Sequence, residues 1–338
     1  DWFMQPTTYK EEKKCPVCGR TYSDFRRDGK LGCSECYKVF RGPVTETLRQ
    51  IHPSTVHVGK IPSKSGEELK LKRKYETLKQ ELSAAVKNED YETAAKLHKQ
   101  IREIENEVKM SRRSVRVIWY KNNNSDIVVS TRIRLARNVD KTPFPNALKD
   151  TKEVTEKIKN AVLGGNSTLA KDFDFIDLDN TPLIRKQELA EEHLISPVMC
   201  EGKGKSVMIS KDRTMSIMLM EEDHIRLQII KDGFALDEAY SLASKVDDVI
   251  EENITYAFDN DFGYLTACPT NTGTGMRASV MMHLPALTMT ENINRVISSA
   301  GSLGIEVRGL YGEGTKAYGN LYQISNRITL GLSESQVI

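Results

Sequence analysis

Apolar and polar residues alternate along this chain in two rhythms. Between residues 71 and 108 the apolar positions recur every three or four residues. Leu71, Tyr75, Leu78, Leu82 and Val86 form one stripe, and Tyr91, Ala94, Leu97 or His98, Ile101, Ile104 and Val108 form a second. That is helical spacing. The interruption "KNEDY" offers Asn88 or Asp90 as a helix cap, so the pattern predicts two helices in an antiparallel hairpin. Its other faces are dense in Lys and Glu, an ordinary solvated surface, but a two-helix unit needs a partner for its remaining apolar area.

From about residue 126 the rhythm shortens. "DIVVSTRIRLARN", "RASVMMHLP", "IEVRGLY", "NLYQIS" and "ITLGL" read as strands, and "GKSVMISKDRTMSIMLMEEDHIRLQII" reads as strands with an antiparallel hairpin around the turn "KDR". "LDEAYSLASKVDDVIEENITYAF" is a long amphipathic helix. Paired strands with few alternating βα units predict an α+β fold on an antiparallel sheet. The whole chain divides into a cysteine-rich module with its linker (1–60), the helical hairpin (61–110) and a larger segment (111–338).

Composition narrows the class. Hydrophobic residues at 39% can build a core, and 28% charged residues is ordinary for a globular chain. The net charge of +2 divides into +5 for residues 1–110 and −3 for the rest, too weak an offset to predict nucleic-acid binding. No apolar run reaches the length of a membrane span and no signal peptide opens the chain, so no membrane contact and a cytoplasmic location are the expectations. A first residue of Asp1 rather than Met suggests a piece of a longer chain.

Four of the six cysteines crowd into "CPVCGRTYSDFRRDGKLGCSEC". Cys15, Cys18, Cys33 and Cys36 make two C-x-x-C knuckles, and two knuckles complete the tetrahedron that zinc prefers. A redox dithiol or a pair of disulfides is the alternative. A closed four-cysteine site would be structural, with no open position for catalysis.

Arginine raises the question of function. Arg132 and Arg134 lie two apart on one face of a strand-like run, and Arg226, Arg277 and Arg308 sit in three other such runs. Each alone could pair with a nearby carboxylate. As a set they point to one anion with several oxygens, and a triphosphate fits the bidentate grip of guanidinium groups. There is no Walker A loop, and "DFG" at 261–263 lacks the other protein-kinase motifs, so it is read as accidental.

"CPTNTGTG", "STRIRLARN", "EEHLISP", "EEDHIR" and "RASV" together resemble the phosphagen (guanidino) kinases over about residues 119–332. "NEDYETAAKLHKQIREIE" resembles the UVR motif, a hairpin of protein–protein contacts. With the cysteine module before it, the first 109 residues resemble McsA-type activators. Metabolite kinases of the family carry a helical domain before the first arginine motif. Here only "WYKNNNSDIVV" precedes Ser130, which with "RGLYGEG" resembles the protein arginine kinases of the McsB type. A fusion of activator and kinase, lacking that family's C-terminal phosphoarginine-binding domain, is therefore expected.

The resemblance implies ATP with Mg2+ as the phosphoryl donor. It implies nucleotide contacts from Ser130, Thr131, Arg132, Ile133 and Arg134, from His193 and Arg226, and from the strand Arg277, Ala278, Ser279, Val280 and Met281. Arg308, Gly309, Leu310, Tyr311, Gly312 and Glu313 complete that set. Glu222 is the implied catalytic carboxylate and Glu313 the second, in a loop able to close over substrate. Cys268 resembles the family's signature cysteine, and Cys200 reads as a core thiol. Glu222 and Arg226 should share a strand face. The implied partners are proteins bearing exposed arginines, the activator segment docked on the kinase segment within or between chains, and a transcriptional repressor or a Clp-type chaperone. The rival readings are a non-catalytic adaptor and a kinase for free arginine.

Overall fold

The computed structural model describes residues 13–63, 81, 127–164, 167, 169–309 and 318–338. The hairpin expected over 61–110 lies almost wholly outside these residues, as do Leu310, Tyr311, Gly312 and Glu313.

Ten strands are described: β1 (Val128–Arg137), β2 (Phe173–Asp177), β3 (Ser206–Ser210), β4 (Met215–Leu219), β5 (Ile225–Asp232), β6 (Phe258–Asp259), β7 (Gly263–Tyr264), β8 (Met276–His283), β9 (Ile305–Gly309) and β10 (Leu321–Asn326). Eight of them form one sheet in the order β2-β3-β4-β5-β1-β8-β10-β9, antiparallel throughout, while β6 and β7 pair separately. Every second residue of β1 points to the same face. Ile133 and Leu135 are buried on one side, joined there by Leu227, Ile229, Ala278 and Val280. The amphipathic stretch expected to be helical covers that face. It is helical over Leu236–Glu251 only, since Tyr256 bridges to Val139 and Phe258 opens β6, and it brings Ala239, Ala243, Val246 and Ile250 to the core, beside Val154 and Ile158 of the helix Lys152–Leu163. The opposite face carries the arginines.

The cysteine module is more helical than its knuckles suggest. The first knuckle is a turn closed by the bridge Lys14–Thr21, and Thr21 then caps α1 (Tyr22–Asp28) in a capping box with Asp24. The second knuckle opens α2 (Ser34–Val39), followed at once by α3 (Arg41–Ile51). Phe25, Leu31, Tyr37, Val44 and Leu48 share one buried cluster with Phe144, Phe262, Leu265 and Leu330. The module and the sheet segment therefore have a common core and form one compact unit.

Two expectations are corrected. "ITLGL" is not a strand, because its backbone is used elsewhere. The Thr329 carbonyl accepts from Thr274 N–H at 2.8 Å, and the Thr329 hydroxyl donates to the Thr270 and Thr272 carbonyls at 2.9 and 2.7 Å. Gly273 makes that approach possible: its φ is +114°, and a Cβ there would lie 2.3 Å from the Thr329 oxygen. Glu222 is not on a strand either. β5 begins at Ile225, and residues 221–224 form the turn before it, after Met220 at φ 59°.

Candidate active site

Strand register assembles the arginines. Arg134 of β1 lies opposite Arg277 of β8 and Gln228 of β5, and Arg132 lies opposite Ser279 and Ile230. Arg226 faces Ala136 of β1 and Met218 of β4, and Arg308 faces Gln323 of β10. Like charges set opposite each other on a sheet repel. Three of the five have carboxylates: Arg226 meets Glu221 at 2.7 Å, while Arg277 and Arg308 share Glu306 at 3.3 and 2.6 Å. Arg132 donates to the Gln323 amide oxygen at 2.6 Å. Among the described residues neither Arg132 nor Arg134 has a carboxylate partner, and Arg134 Nε is buried without an acceptor. Burial, followed by the charges of Arg226 and Arg277, pushes Arg132 down to about 10. Burial and the charges of Arg132, Arg226 and Arg277 push Arg134 well below its ordinary value. Guanidinium groups do not deprotonate readily, so this is positive charge held together without its counter-charge.

Two cavities meet at these arginines. The larger, about 880 Å³, is lined by Ser130, Arg132, His193, Cys200, Ser279, Met281 and Gly309, among others. The smaller, about 290 Å³, is lined by Glu222, Thr270, Asn271, Glu306 and Arg327, and also by Ile51 and His52 of the cysteine module. Arg134, Arg226, Arg277 and Arg308 line both. They form the wall between a space large enough for a nucleotide and one sized for a single side chain.

His193 stands at φ 60°, an unusual backbone for a non-glycine residue, and the Gln228 amide donates to its carbonyl at 2.6 Å. Burial and then Arg132 lower its pKa, so the ring is neutral in the larger cavity. On the other side, the turn 221–224 is tied to the loop holding "CPTNTGTG". Asp223 is fully buried and accepts from Ala267 N–H at 2.8 Å and the Asn138 amide at 2.6 Å. His224 Nδ1 accepts from Val139 N–H at 3.1 Å, so Nε2 carries the proton donated to the Pro143 carbonyl at 2.9 Å. Glu222 then projects from a rigid turn. One of its oxygens is 3.4 Å from the Asn271 amide and 3.6 Å from Arg226, and the other is 3.2 Å from Lys30 of the cysteine module.

The four thiolates of the module fit zinc. Their sulfurs lie within 4.8 Å of one another, with Cys15–Cys33 at 3.5 Å, Cys18–Cys36 at 3.3 Å and Cys33–Cys36 at 3.8 Å. A zinc tetrahedron with bonds of about 2.3 Å has edges of roughly 3.8 Å. All four sulfurs converge on one point instead of separating into two pairs, which favours zinc over the disulfide alternative. Hydrogen bonds from Cys33 and Cys36 draw the Cys18 thiol far down while pushing those two up, a crowding that a dication relieves.

The module is docked beside the signature loop. Leu31 N–H donates to the Ala267 carbonyl at 2.9 Å, and Phe144 N–H donates to the Gly32 carbonyl at 2.7 Å. The buried Tyr37 hydroxyl donates to the Thr266 carbonyl at 2.8 Å and lies 2.6 Å from the Thr272 hydroxyl. His52 Nε2 is 3.1 Å from the Pro269 carbonyl, and Arg41 pairs with Asp259 and Asp261 over the Phe262 ring. The linker continues the contact. Lys60 reaches the buried Asp247 at 2.9 Å, and its N–H donates to Glu334.

The sequence-predicted residues divide accordingly. Ser130, Arg132, Arg134, His193, Arg226, Arg277, Ser279, Met281, Arg308 and Gly309 line the larger cavity. Thr131, Ile133, Ala278 and Val280 alternate to the core face, so only their backbone is on the cavity side. Cys268 is half-buried beside the Thr270 hydroxyl at 3.0 Å. Cys200 is no core thiol, since it is half-buried in the wall of the larger cavity. Sequence reading missed Glu306 and Gln323, which satisfy the arginines, and Asn271 beside Glu222; it offered Glu221 only as a neighbouring acid of "MEEDH" or a solvated loop acid, whereas Glu221 is buried against Arg226. Asn271 carried a signal as part of "CPTNTGTG", and Glu221 as the first residue of "EEDHIR".

Residues 153–338 match the ATP:guanido phosphotransferase C-terminal catalytic domain, more than half of the chain. The chain belongs to the ATP:guanido phosphotransferases. Residues 13–59 of this phosphotransferase-family chain match the McsA central zinc-finger domain, and residues 72–107 match the UvrB/uvrC motif. A protein-arginine kinase of Caldanaerobacter subterraneus is 49% identical over 218 residues, covering 64% of this chain and 65% of that protein. One from Clostridium acetobutylicum is 51% identical over 218 residues, 64% of each. The chain thus spans slightly less than two thirds of the length of these relatives. Among solved structures, a duplicated taurocyamine kinase from Schistosoma mansoni with bound transition-state-analogue components shares the fold (TM-score 0.65, 21% identity, 91% of this chain and 38% of that one). A lombricine kinase is similar at a TM-score of 0.55 with 25% identity over 62% of each chain. No helix among the described residues is long and apolar enough to cross a membrane.

Proposed function

We propose that this protein phosphorylates arginine side chains of proteins with Mg·ATP, through a site spanning the two cavities. The observation that carries the reading is the wall of four arginines common to both. Phosphoryl transfer proceeds through a loose transition state with charge on peripheral oxygens, so positioning plus fixed positive charge supplies most of the catalysis. Arg132, Arg134, Arg226, Arg277 and Arg308 hold the phosphates, and the neutral His193 ring lies against the nucleoside. Ser130, Ser279, Met281 and Gly309 line its cavity, while Thr131, Ile133, Ala278 and Val280 contribute backbone. Magnesium on the phosphates neutralises charge and takes mostly water and phosphate oxygens as ligands.

Glu222, in the smaller cavity, orients the acceptor guanidinium and takes its proton as the nitrogen attacks. By the resemblance, Leu310, Tyr311 and Gly312 belong with the nucleotide contacts, and Glu313 is the second catalytic carboxylate as well as a member of that set. Cys268 tunes the loop beside Asn271 without bonding covalently to substrate. The shared core of module and sheet segment supports activation within one chain. We divide the chain at 60 and 110 into zinc module, UVR hairpin and kinase segment, and we read it as cytoplasmic, in keeping with six unpaired cysteines. A repressor or a Clp-type chaperone as further partner rests on the resemblance alone.

The test is a transfer assay with Mg·ATP and two acceptors, an arginine-rich unfolded protein and free arginine. Acid-labile phosphate on the protein alone, lost in Glu222→Gln, is the expected outcome. Phosphate on free arginine would make the chain a metabolite kinase, and none on either would favour a non-catalytic adaptor.

A further inference from the structure

The zinc module sets a charged side chain against Glu222, which lines the smaller cavity. Lys30 follows the C-cap of α1, where Gly29 at φ 70° turns the chain and Asp28 Oδ1 accepts from Lys30 N–H at 3.0 Å. The next residue, Leu31, is buried and pinned by its N–H to Ala267. The Lys30 backbone is therefore fixed beside the signature loop, while its side chain is 42% exposed and able to move. Its ammonium lies 3.2 Å from Glu222 Oε1. The other oxygen of Glu222 faces Asn271 and Arg226.

The charge inventory gives this contact its meaning. Five arginines line the smaller cavity, Arg134, Arg226, Arg277, Arg308 and Arg327, against the two carboxylates Glu222 and Glu306. Glu306 is held by Arg277 and Arg308. A cationic acceptor entering this space has Glu222 as its counter-charge, and Lys30 stands on it.

We propose that Lys30 is an acceptor gate. Its ammonium takes the place at Glu222 that a substrate guanidinium needs, and it swings out to solvent when an arginine enters. The proposal rests on the reading of Glu222 as the acceptor carboxylate. A guanidinium displaces the ammonium because its planar fork engages both oxygens of a carboxylate, whereas a lysine ammonium is a point charge on one. The gate thus favours arginine over simple amines, and the zinc module sets acceptor affinity through a direct contact as well as through docking. An ion pair this exposed is weak, so the gate shifts affinity only a few-fold.

The experiment compares the full chain with Lys30→Gln, Lys30→Arg and Glu222→Gln. Steady-state transfer to an arginine-containing peptide is read alongside calorimetric binding of that peptide with Mg·ADP present. Lys30→Gln is expected to lower the acceptor KM and tighten peptide binding about two- to five-fold, with kcat not reduced and the KM for Mg·ATP unchanged. Lys30→Arg should bind the peptide no tighter than the unsubstituted chain. The difference should narrow at high salt, where exposed charges are screened. Unchanged peptide binding in Lys30→Gln, with Glu222→Gln weakened, would overturn the gate alone. A lower kcat at unchanged acceptor KM would overturn it too, making Lys30 a contact of the transferring phosphoryl group. Glu222→Gln that bound the peptide as the unsubstituted chain does would remove the acceptor reading and the gate with it.

Discussion

Arg134 and Arg137 lie three residues apart on the same strand, the first half-buried between the cavities and the second fully buried, and their surroundings are opposites. Arg137 is 1% exposed, and its fork meets both oxygens of Asp247 at 3.1 Å. Its guanidinium carbon sits 3.5 Å from the centre of the Tyr264 ring. Burial by itself would lower its pKa, but Asp247 raises it above the ordinary value. Arg134 faces Arg277 across the sheet, and its neighbours add to burial in lowering its pKa. A buried arginine with its own carboxylate is a structural element. One surrounded by other arginines keeps charge in reserve for a ligand.

The largest effect should come from the reserved charge. Arg134→Gln is expected to lower phosphoryl transfer by about a thousandfold or more, which is about 4 kcal/mol of transition-state stabilisation. Its thermal unfolding midpoint should stay level or rise, because a repelling charge is gone. Steady-state kinetics and a melting curve on the same preparation check both halves. A lower midpoint would break the contrast by making Arg134 structural.

The reverse split is expected at the other end of β1. Asp247→Ala leaves Arg137 buried without its counter-charge and should cost about 3–5 kcal/mol of stability, read from the midpoint of urea unfolding. Residual folded enzyme should keep its KM for Mg·ATP, since Asp247 is on the core side of the sheet. Lys60→Met is a milder version. Burial alone would lower the Lys60 pKa, but Asp247 and Asp248 raise it. Removing Lys60 still leaves Asp247 paired with Arg137, so a loss of about 1 kcal/mol is expected. A loss as large as that of Asp247→Ala would mean that the linker, not Arg137, is the main partner of Asp247.

The sequence carried one half of this contrast better than the other. Alternation alone set Arg132 and Arg134 on one face, and the spacing of Cys15, Cys18, Cys33 and Cys36 foretold a four-sulfur cluster. Both are local patterns with fixed periods. The partners were less legible: Asp247 lies 110 residues from Arg137 and Glu306 lies 29 from Arg277, and although Glu306 and Glu221 are also near Arg308 and Arg226 in sequence, proximity alone does not say which acid pairs with an arginine. Glu222 was expected on a strand because "EEDHIR" runs unbroken into β5, yet the buried Asp223 side chain bends that segment into a turn. "ITLGL" has strand-like composition, but hydrogen bonds to the 270–274 loop take its backbone, a choice only tertiary contacts make.

A pair of titrating neighbours extends the contrast to charges that can be switched off. Burial, partly offset by Ala267 N–H and Asn138, raises Asp223 from 3.8 to about 6. Between those values the folded chain holds a proton that the unfolded chain has lost, so this group lowers stability as pH rises. Burial, partly offset by the Pro143 carbonyl, lowers His224 from 6.5 to about 4. There the unfolded chain holds the extra proton, so this group raises stability over nearly the same interval. The two slopes oppose each other, and the unsubstituted chain should change by only about 1 kcal/mol or less between pH 4 and 6.5. Asp223→Asn should uncover the histidine, with stability climbing as pH rises toward 6.5. His224→Gln should uncover the aspartate, with stability falling between pH 4 and 6. Urea midpoints measured at half-unit pH steps separate the three curves. Parallel curves would mean that neither group is held away from water in the folded turn, and Glu222 would then lack the rigid base on which its aim at the acceptor depends.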